Sequence, residues 1–151
     1  AMDLLGRKVV RNGGETVHTF IQNVRGTINT LDTNEPSQLS IATHLSNSLD
    51  ALETAVAWMV ETFPKQPGQA AAGATSFLEM MGLISGGWML ARGVIEANIQ
   101  LKSEQGDTNF LNSKIKTAQY FAHAHLSRTP SLLYPITGCG DCVMEFEASN
   151  F

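Results

Sequence analysis

The chain has 151 residues, of which 43% are hydrophobic and 16% are charged. This length fits one globular domain that buries roughly two thirds of its unfolded surface. Ten basic and fourteen acidic residues give a net charge of −4. That balance argues against general nucleic-acid binding, which usually requires a basic patch or stripe. Two cysteines without a secretion signal favour a reducing compartment, which we expect to be the cytoplasm.

The most apolar stretch, residues 77–95, is too short between charges to be a membrane span. A spanning helix needs about 20 mostly apolar residues. Here Glu79 and Arg92 enclose only 12 uncharged residues. Residues 1–10 also lack the apolar run of a signal peptide. We therefore expect a soluble protein.

Apolar residues recur at helical spacing along nearly the whole chain, and no long strand-like alternation occurs. A short helical segment at residues 2–9 is followed by a break at residues 11–14. The spacing then predicts four amphipathic helices, at residues 17–31, 36–63, 70–101 and 108–126. Pro130 is expected to kink the last helix before a final turn that reaches Thr137. The predicted fold is all-α, an antiparallel four-helix bundle with a short N-terminal helical segment.

Glycines interrupt the apolar third helix at positions that share one strip of its surface. Gly82 and Gly86 are four residues apart, and Gly93 lies seven residues further on. Each costs about 0.5–1 kcal/mol relative to alanine inside a helix, so the strip requires an offsetting gain. The close approach of another helix would provide one. A flat site for a ligand or a partner domain, flanked by Trp88 and Met89, would provide another.

Three further motifs suggest chemistry without completing it. Cys139 and Cys142 have the spacing of a redox or metal pair, but no second cysteine pair exists, and two incidental thiols are the simpler interpretation. The segment from Glu15 to His18 matches half of a bundle di-iron motif, without its required second copy. His44 could suggest phosphotransfer, but a solvent-facing or capping histidine explains it more simply. None of these motifs predicts a metal or catalytic site.

The order of residues between positions 70 and 97, AAAGATSFLEMMGLISGGWMLARGVIEA, carries a family resemblance. It resembles the C-terminal extension of a bacterial branch of the acyl-CoA dehydrogenases, which includes enzymes acting on methylmercaptopropionyl-CoA and related thioesters. That extension typically contains Phe/Tyr-Leu, Gly-Leu and Gly-Trp-Met-Leu-Ala-Arg in this order. Residues 110–126 and 137–151 are similar to the family's following helix and tail.

The resemblance implies that the chemistry is carried out outside this chain. In the family, a glutamate removes the proton alpha to the thioester and FAD accepts the beta hydride. Residues 1–9 resemble the stretch that follows this glutamate, so we expect the chain to begin shortly after it. The resemblance therefore assigns no catalytic, cofactor-binding or metal-binding residue here, with FAD belonging to the parent enzyme. We expect the isolated chain to be inactive and to bind little or no FAD.

The resemblance also divides the chain and suggests a role for it. Residues 1–13 would end a linker or helix from the catalytic domain, residues 14–138 would form the bundle, and residues 139–151 would form a tail. Expected partners are the upstream dehydrogenase domains of the same chain, a second copy in a homo-oligomer, and acyl-CoA through the parent enzyme. The domain would serve domain packing, dimer support or pocket cover. A free-standing helical interaction or ligand-binding module is the alternative.

The candidate docking face comprises the glycine strip and two larger side chains of the same helix. Arg92 is the one charge on this face, and we expect it to form an ion pair with Glu96 or with an acidic residue of a neighbouring helix. The alternative is a contact with the upstream domain or an adjacent subunit. The predicted docking residues are Gly82, Gly86, Trp88, Arg92 and Gly93.

Overall fold

All regular secondary structure in the described part of the chain is helical, which confirms the all-α class. The computed structural model describes residues 1–147 and residue 149. In chain order, the α-helices are α1 (Glu15–Ile28), α2 (Pro36–Thr62), α3 (Pro67–Ala72), α4 (Ala74–Lys102), α5 (Thr108–Ala124), α6 (Leu133–Thr137) and α7 (Gly140–Met144). A π-helical turn and two 3₁₀ turns accompany them, at Leu4–Val9, Arg11–Gly14 and Leu126–Leu132.

The two longest helices form the middle of the structure. α2 and α4 contact each other, and each also contacts α1 and α5. Their apolar residues fill the core, and the fully buried ones include Leu45, Leu49 and Leu52 of α2 and Met80 and Ile84 of α4. Among the described residues, no helix has the length and apolarity needed to cross a membrane.

The N-terminal segment packs onto these helices. Leu5 and Val9 are completely buried, although they precede α1. Asn12, Gly13 and Gly14 then have positive φ angles of 54°, 63° and 86°. Because glycine adopts this left-handed region at little cost, the two glycines allow the chain to reverse sharply into α1.

The predicted third helix is wrong in one respect, since the structure divides it at Gly73. α3 begins at Pro67, inside a segment expected to form a loop, and α4 begins at Ala74. A Cβ atom on Gly73 would lie 2.5 Å from the carbonyl oxygen of Ile136. The break therefore lies where the C-terminal part of the chain crosses this point, a contact that helical periodicity cannot reveal.

The C-terminal region is more helical than predicted. Pro130 lies within a 3₁₀ turn that separates α5 from α6, so the expected kink is a change of helix. α7 occupies part of the segment expected to be a tail. It packs against α3, where Met144 lies beside Gly68 and Gln69 donates a hydrogen bond to Asp141.

Candidate docking face

The three glycines of the predicted face lie on one strip of α4 but have different surroundings. A Cβ atom on Gly82 would meet nothing within 4 Å. On Gly86 it would lie 3.2 Å from Cζ of Phe121 in α5, and on Gly93 it would lie 4.0 Å from Cε of Lys114. Gly86 therefore accommodates a neighbouring helix of the same chain, whereas Gly82 faces open space.

Trp88 lies on another side of α4 and holds α1 in place. Its indole Nε1–H donates a hydrogen bond to Oγ1 of Thr27, over 2.7 Å. Its ring meets that of Phe20 edge to face, with 5.5 Å between centroids. Because the indole has both a polar and an apolar partner within the chain, Trp88 serves packing between α1 and α4.

Arg92 is exposed and lies beside Trp88 on the surface. Its guanidinium carbon is 5.7 Å from the centre of the Trp88 ring, within the range of a cation–π contact. The ion pairs found among the described residues do not include Arg92. Glu96 instead accepts a hydrogen bond from Gln100, at 2.7 Å. The predicted ion pair with Glu96 or a neighbouring helix is therefore wrong, because the guanidinium stacks on the indole.

An apolar cleft opens between α4 and α5, next to Gly93. Its volume is about 250 Å³. Met89 and Phe110 form its walls while remaining 47% and 60% exposed, and the ammonium of Lys114 lies 5.2 Å from the Phe110 ring centre. Gly93 also lines the cleft, and because glycine has no side chain it fills none of this space. The remaining lining residues are Leu90, Ser113 and Thr117.

A wider and more polar groove lies on the other side of α4, towards α1. Its volume is about 710 Å³. It shares Met89 and Gly93 with the apolar cleft and also includes Arg92. The other lining residues are Asn23, Gly26, Thr27, Thr30, Ile95 and Glu96. We call the two grooves and the part of α4 between them the α4 ridge.

The α4 ridge retains only part of the predicted face. It brings Arg92 and Gly93 together, whereas Gly82 and Trp88 line neither groove and Gly86 is covered by α5. The sequence prediction missed Phe110 and Lys114, which come from α5. No local signal could have found them, because their position depends on the alignment of α5 with α4.

The other sequence motifs do not come together as a metal site with three or more ligands in the described part of the chain. Within residues 1–147 and 149, no group of three or more His, Cys, Asp or Glu side chains is suitably placed to hold an ion. Cys139 and Cys142 are free thiols near the start of α7. His44 lies beside His123, with 5.2 Å between ring centroids. Burial lowers the pKa of His44, and the neighbouring His123 lowers that pKa further.

The family match covers nearly all of this helical structure. Residues 15–147 match the family described as "Acetyl-CoA dehydrogenase C-terminal like". The chain belongs to this family. The match includes the seven α-helices of the described residues, from the first residue of α1 to beyond α7, and confirms the resemblance carried by residues 70–97.

One relative of this family domain is 3-methylmercaptopropionyl-CoA dehydrogenase from Ruegeria pomeroyi. The two proteins are 33% identical over 144 residues, which cover 95% of this chain but 24% of the relative. The chain matches the C-terminal part of that dehydrogenase. It therefore spans about a quarter of the length of the curated relative it matches.

Proposed function

We propose that this chain is the C-terminal accessory domain of an FAD-dependent acyl-CoA dehydrogenase. In that enzyme it packs against the catalytic domains, supports the dimer or covers the acyl pocket. The observation that carries this proposal is the family match over residues 15–147, together with a relative that is four times as long. A domain that forms a quarter of an enzyme has to meet the remaining part through some surface.

The α4 ridge is the surface we propose for that contact. It combines exposed apolar side chains, Met89 and Phe110, with Arg92, a cation that has no carboxylate partner among the described residues. Apolar grooves with a few polar groups are typical of interaction sites. An acidic group of the catalytic body would pair with Arg92, while an apolar side chain fills the cleft beside Gly93.

We also propose that the four long helices form an antiparallel bundle. Along α4 and α5, Gly86 lies beside Phe121 and Gly93 beside Lys114, so residue numbers rise along one helix as they fall along the other. The contacts between α1 and α2 also indicate antiparallel helices. Arg25 of α1 contacts Asp50 of α2, whereas Gly14, just before α1, lies beside Val56 further along α2. Such a bundle provides a rigid support on which the α4 ridge keeps its shape.

Catalysis belongs to the rest of the proposed enzyme. Flavin and base together would convert an acyl-CoA thioester to an enoyl-CoA, a reaction of fatty acid metabolism that we expect in the cytoplasm. The cofactor supplies the redox chemistry, and the protein around it supplies position. For this chain alone we propose no catalytic residue, no FAD site and no activity. Absorbance spectra of the purified chain test this, because stoichiometric flavin would contradict it.

The reading frame upstream of the Ala1 codon provides the first test. An open frame that encodes a dehydrogenase body, including a Tyr-Glu-Gly-Thr segment shortly before Ala1, supports the proposal. A start codon at Met2 preceded by a stop contradicts it. That result would favour the second candidate, a free-standing helical module that binds a ligand or partner, because the exposed α4 ridge would then need another occupant.

The docking surface has its own test in the full-length enzyme. A protease site is inserted before Ala1 in the full-length enzyme. Cleavage there cuts the covalent link between this domain and the catalytic body after the two have folded together. We expect wild-type domain to co-elute with the body after cleavage, and Met89→Ser or Arg92→Glu to weaken that association. Both positions are exposed, so the fold should survive. Lys116→Glu on α5 is the matched charge control. Equal retention of all variants would place the contact elsewhere.

A further inference from the structure

Two histidines that are far apart in the sequence meet at the surface between α2 and α5. The imidazoles of His44 and His123 lie 5.2 Å apart, centroid to centroid, with an interplanar angle of 65°. Ser40 lies one helical turn before His44, and its Oγ is 2.7 Å from Nε2 of His123. The three polar side chains therefore form one cluster, which we call the His44–His123 pair with Ser40.

The contact with Ser40 shows where the His123 ring points. Residues four apart on a helix are neighbours on the same face, so Ser40 and His44 stand side by side on α2. Nε2 of His123 is directed at this face. When the Ser40 hydroxyl donates the hydrogen bond, the Nε2 lone pair of His123 is its acceptor and points at the face of α2 that carries Ser40 and His44. That tautomer can also bind a cation in place of the hydroxyl proton.

Both imidazoles can be reached from solvent. His44 is partly exposed and His123 is exposed, so an ion in solution has access to the neutral ring nitrogens that bind metals.

We propose that His44 and His123 form a two-histidine binding site for a divalent transition-metal ion of the zinc class. Imidazole nitrogen is a preferred ligand of zinc, at about 2.0–2.1 Å. Two imidazoles at this separation can share one ion, and water occupies its remaining positions. The Ser40 hydroxyl then forms a hydrogen bond with one of the metal-bound waters and orients that water.

This site differs from the motifs seen in the sequence alone. His123 and His125 lie two residues apart and are directed differently, because the His125 ring packs on Phe121 with 4.9 Å between centroids. The ligand pair is instead formed across 79 residues of chain, between α2 and α5. A bound ion would therefore link two helices and stabilise the folded chain over the unfolded one.

Zinc titration of the 151-residue chain tests the proposal. Replacing Cys139 and Cys142 by serine removes the soft ligands that compete for zinc. In this background we expect calorimetry to give one site per chain, lost in both His44→Ala and His123→Ala. His18→Ala and His125→Ala are matched controls that should leave binding unchanged. Retention of stoichiometric binding in either His44→Ala or His123→Ala overturns the proposal, as does the absence of binding in the starting protein.

Histidine ring NMR of the unsubstituted side chains provides a readout that does not depend on the alanine variants folding. During zinc titration, the ring signals of His44 and His123 should shift together with one midpoint, and those of His18 and His125 should not. Equal shifts at all four histidines would indicate unspecific binding and contradict the proposed site. Neither outcome bears on the docking of the domain to a dehydrogenase.

Discussion

The indole of Trp88 in α4 donates its Nε1 proton to the hydroxyl oxygen of Thr27 in α1, at 2.7 Å. This hydrogen bond joins α1 to α4, and Thr27 is also one of the residues that line the polar groove. The same hydroxyl is 3.3 Å from the carbonyl oxygen of Asn23, to which it can donate. The Thr27 hydroxyl thus takes part in two hydrogen bonds, one within α1 and one between α1 and α4.

Replacing Thr27 by valine should destabilise the chain through loss of this acceptor. The indole N–H would be left without its partner in a half-buried position, which costs about 1 kcal/mol. Urea denaturation of the variant measures the change in unfolding free energy. Thr19→Val is the matched control, because the Thr19 hydroxyl donates only within α1. Equal losses in both variants would show that the Trp88 contact contributes nothing.

Gly73 and Gly82 should respond to alanine in opposite directions. At Gly73, the new Cβ would lie 2.5 Å from the backbone oxygen of Ile136, which cannot move away without shifting α6. We expect a loss of about 1–3 kcal/mol from this overpacking. At Gly82 the Cβ meets open space, and we expect a gain of about 0.5–1 kcal/mol from helix propensity.

Thermal and urea denaturation of the two glycine variants check this prediction. Both substitutions add one methyl group to or beside the same helix, so each serves as the control for the other. A stabilising Gly73→Ala would contradict the observed crossing of Ile136 at this point. A destabilising Gly82→Ala would show that the open strip of α4 is occupied in the folded chain.

Arg25 joins α1 to α2 through two carboxylates and should contribute more than a lone surface pair. Its Nη2 lies 3.0 Å from Asp50 Oδ1 and 3.0 Å from Glu53 Oε2. The hydrogen bond to Asp50 is the largest cause of the raised pKa of Arg25, with Glu53 adding to it. All three side chains are partly exposed to solvent, so we expect Arg25→Met to cost only about 1 kcal/mol.

Salt dependence separates this electrostatic contribution from packing. The cost of Arg25→Met should shrink in 1 M sodium chloride, where the screening length falls to about 3 Å. Arg7→Met is the control, because the pair between Arg7 and Asp3 lies within one turn and is largely exposed. That variant should change stability little at either salt concentration. If salt does not alter the loss of unfolding free energy in Arg25→Met, Arg25 stabilises the chain through packing and not through its charge.

His44 should make stability depend on pH in the mildly acidic range. Its folded-state pKa is lowered from the ordinary value of 6.5, chiefly by burial. The unfolded chain therefore binds the proton more readily, and stability falls as the pH drops from about 6.5 through the lowered folded pKa. Urea denaturation at about pH 7.5 and at lower pH should show a smaller difference for His44→Gln than for the wild type. An identical difference would contradict the pKa assignment.

The sequence by itself determined the helical class and the family. Apolar spacing located the four long helices within a few residues, because burial of one face imposes that period. The residues from Phe77 to Arg92 carried the family resemblance that the match over residues 15–147 confirmed. Asp107 or Thr108, just before the apolar pattern of α5, is of the type that caps helices, and the Asp107 side chain does accept hydrogen bonds from the backbone N–H groups of Asn109 and Phe110.

Only the tertiary structure decided which residues meet. Gly73 ends a helix because Ile136 crosses it, Arg92 stacks on an indole where an ion pair was expected, and Phe110 completes a cleft begun by Met89. Each of these features depends on the packing of elements distant in the chain. Helical periodicity reports which face of a helix is buried but not what lies against it, so the partners of α4 could be identified only from the assembled helices.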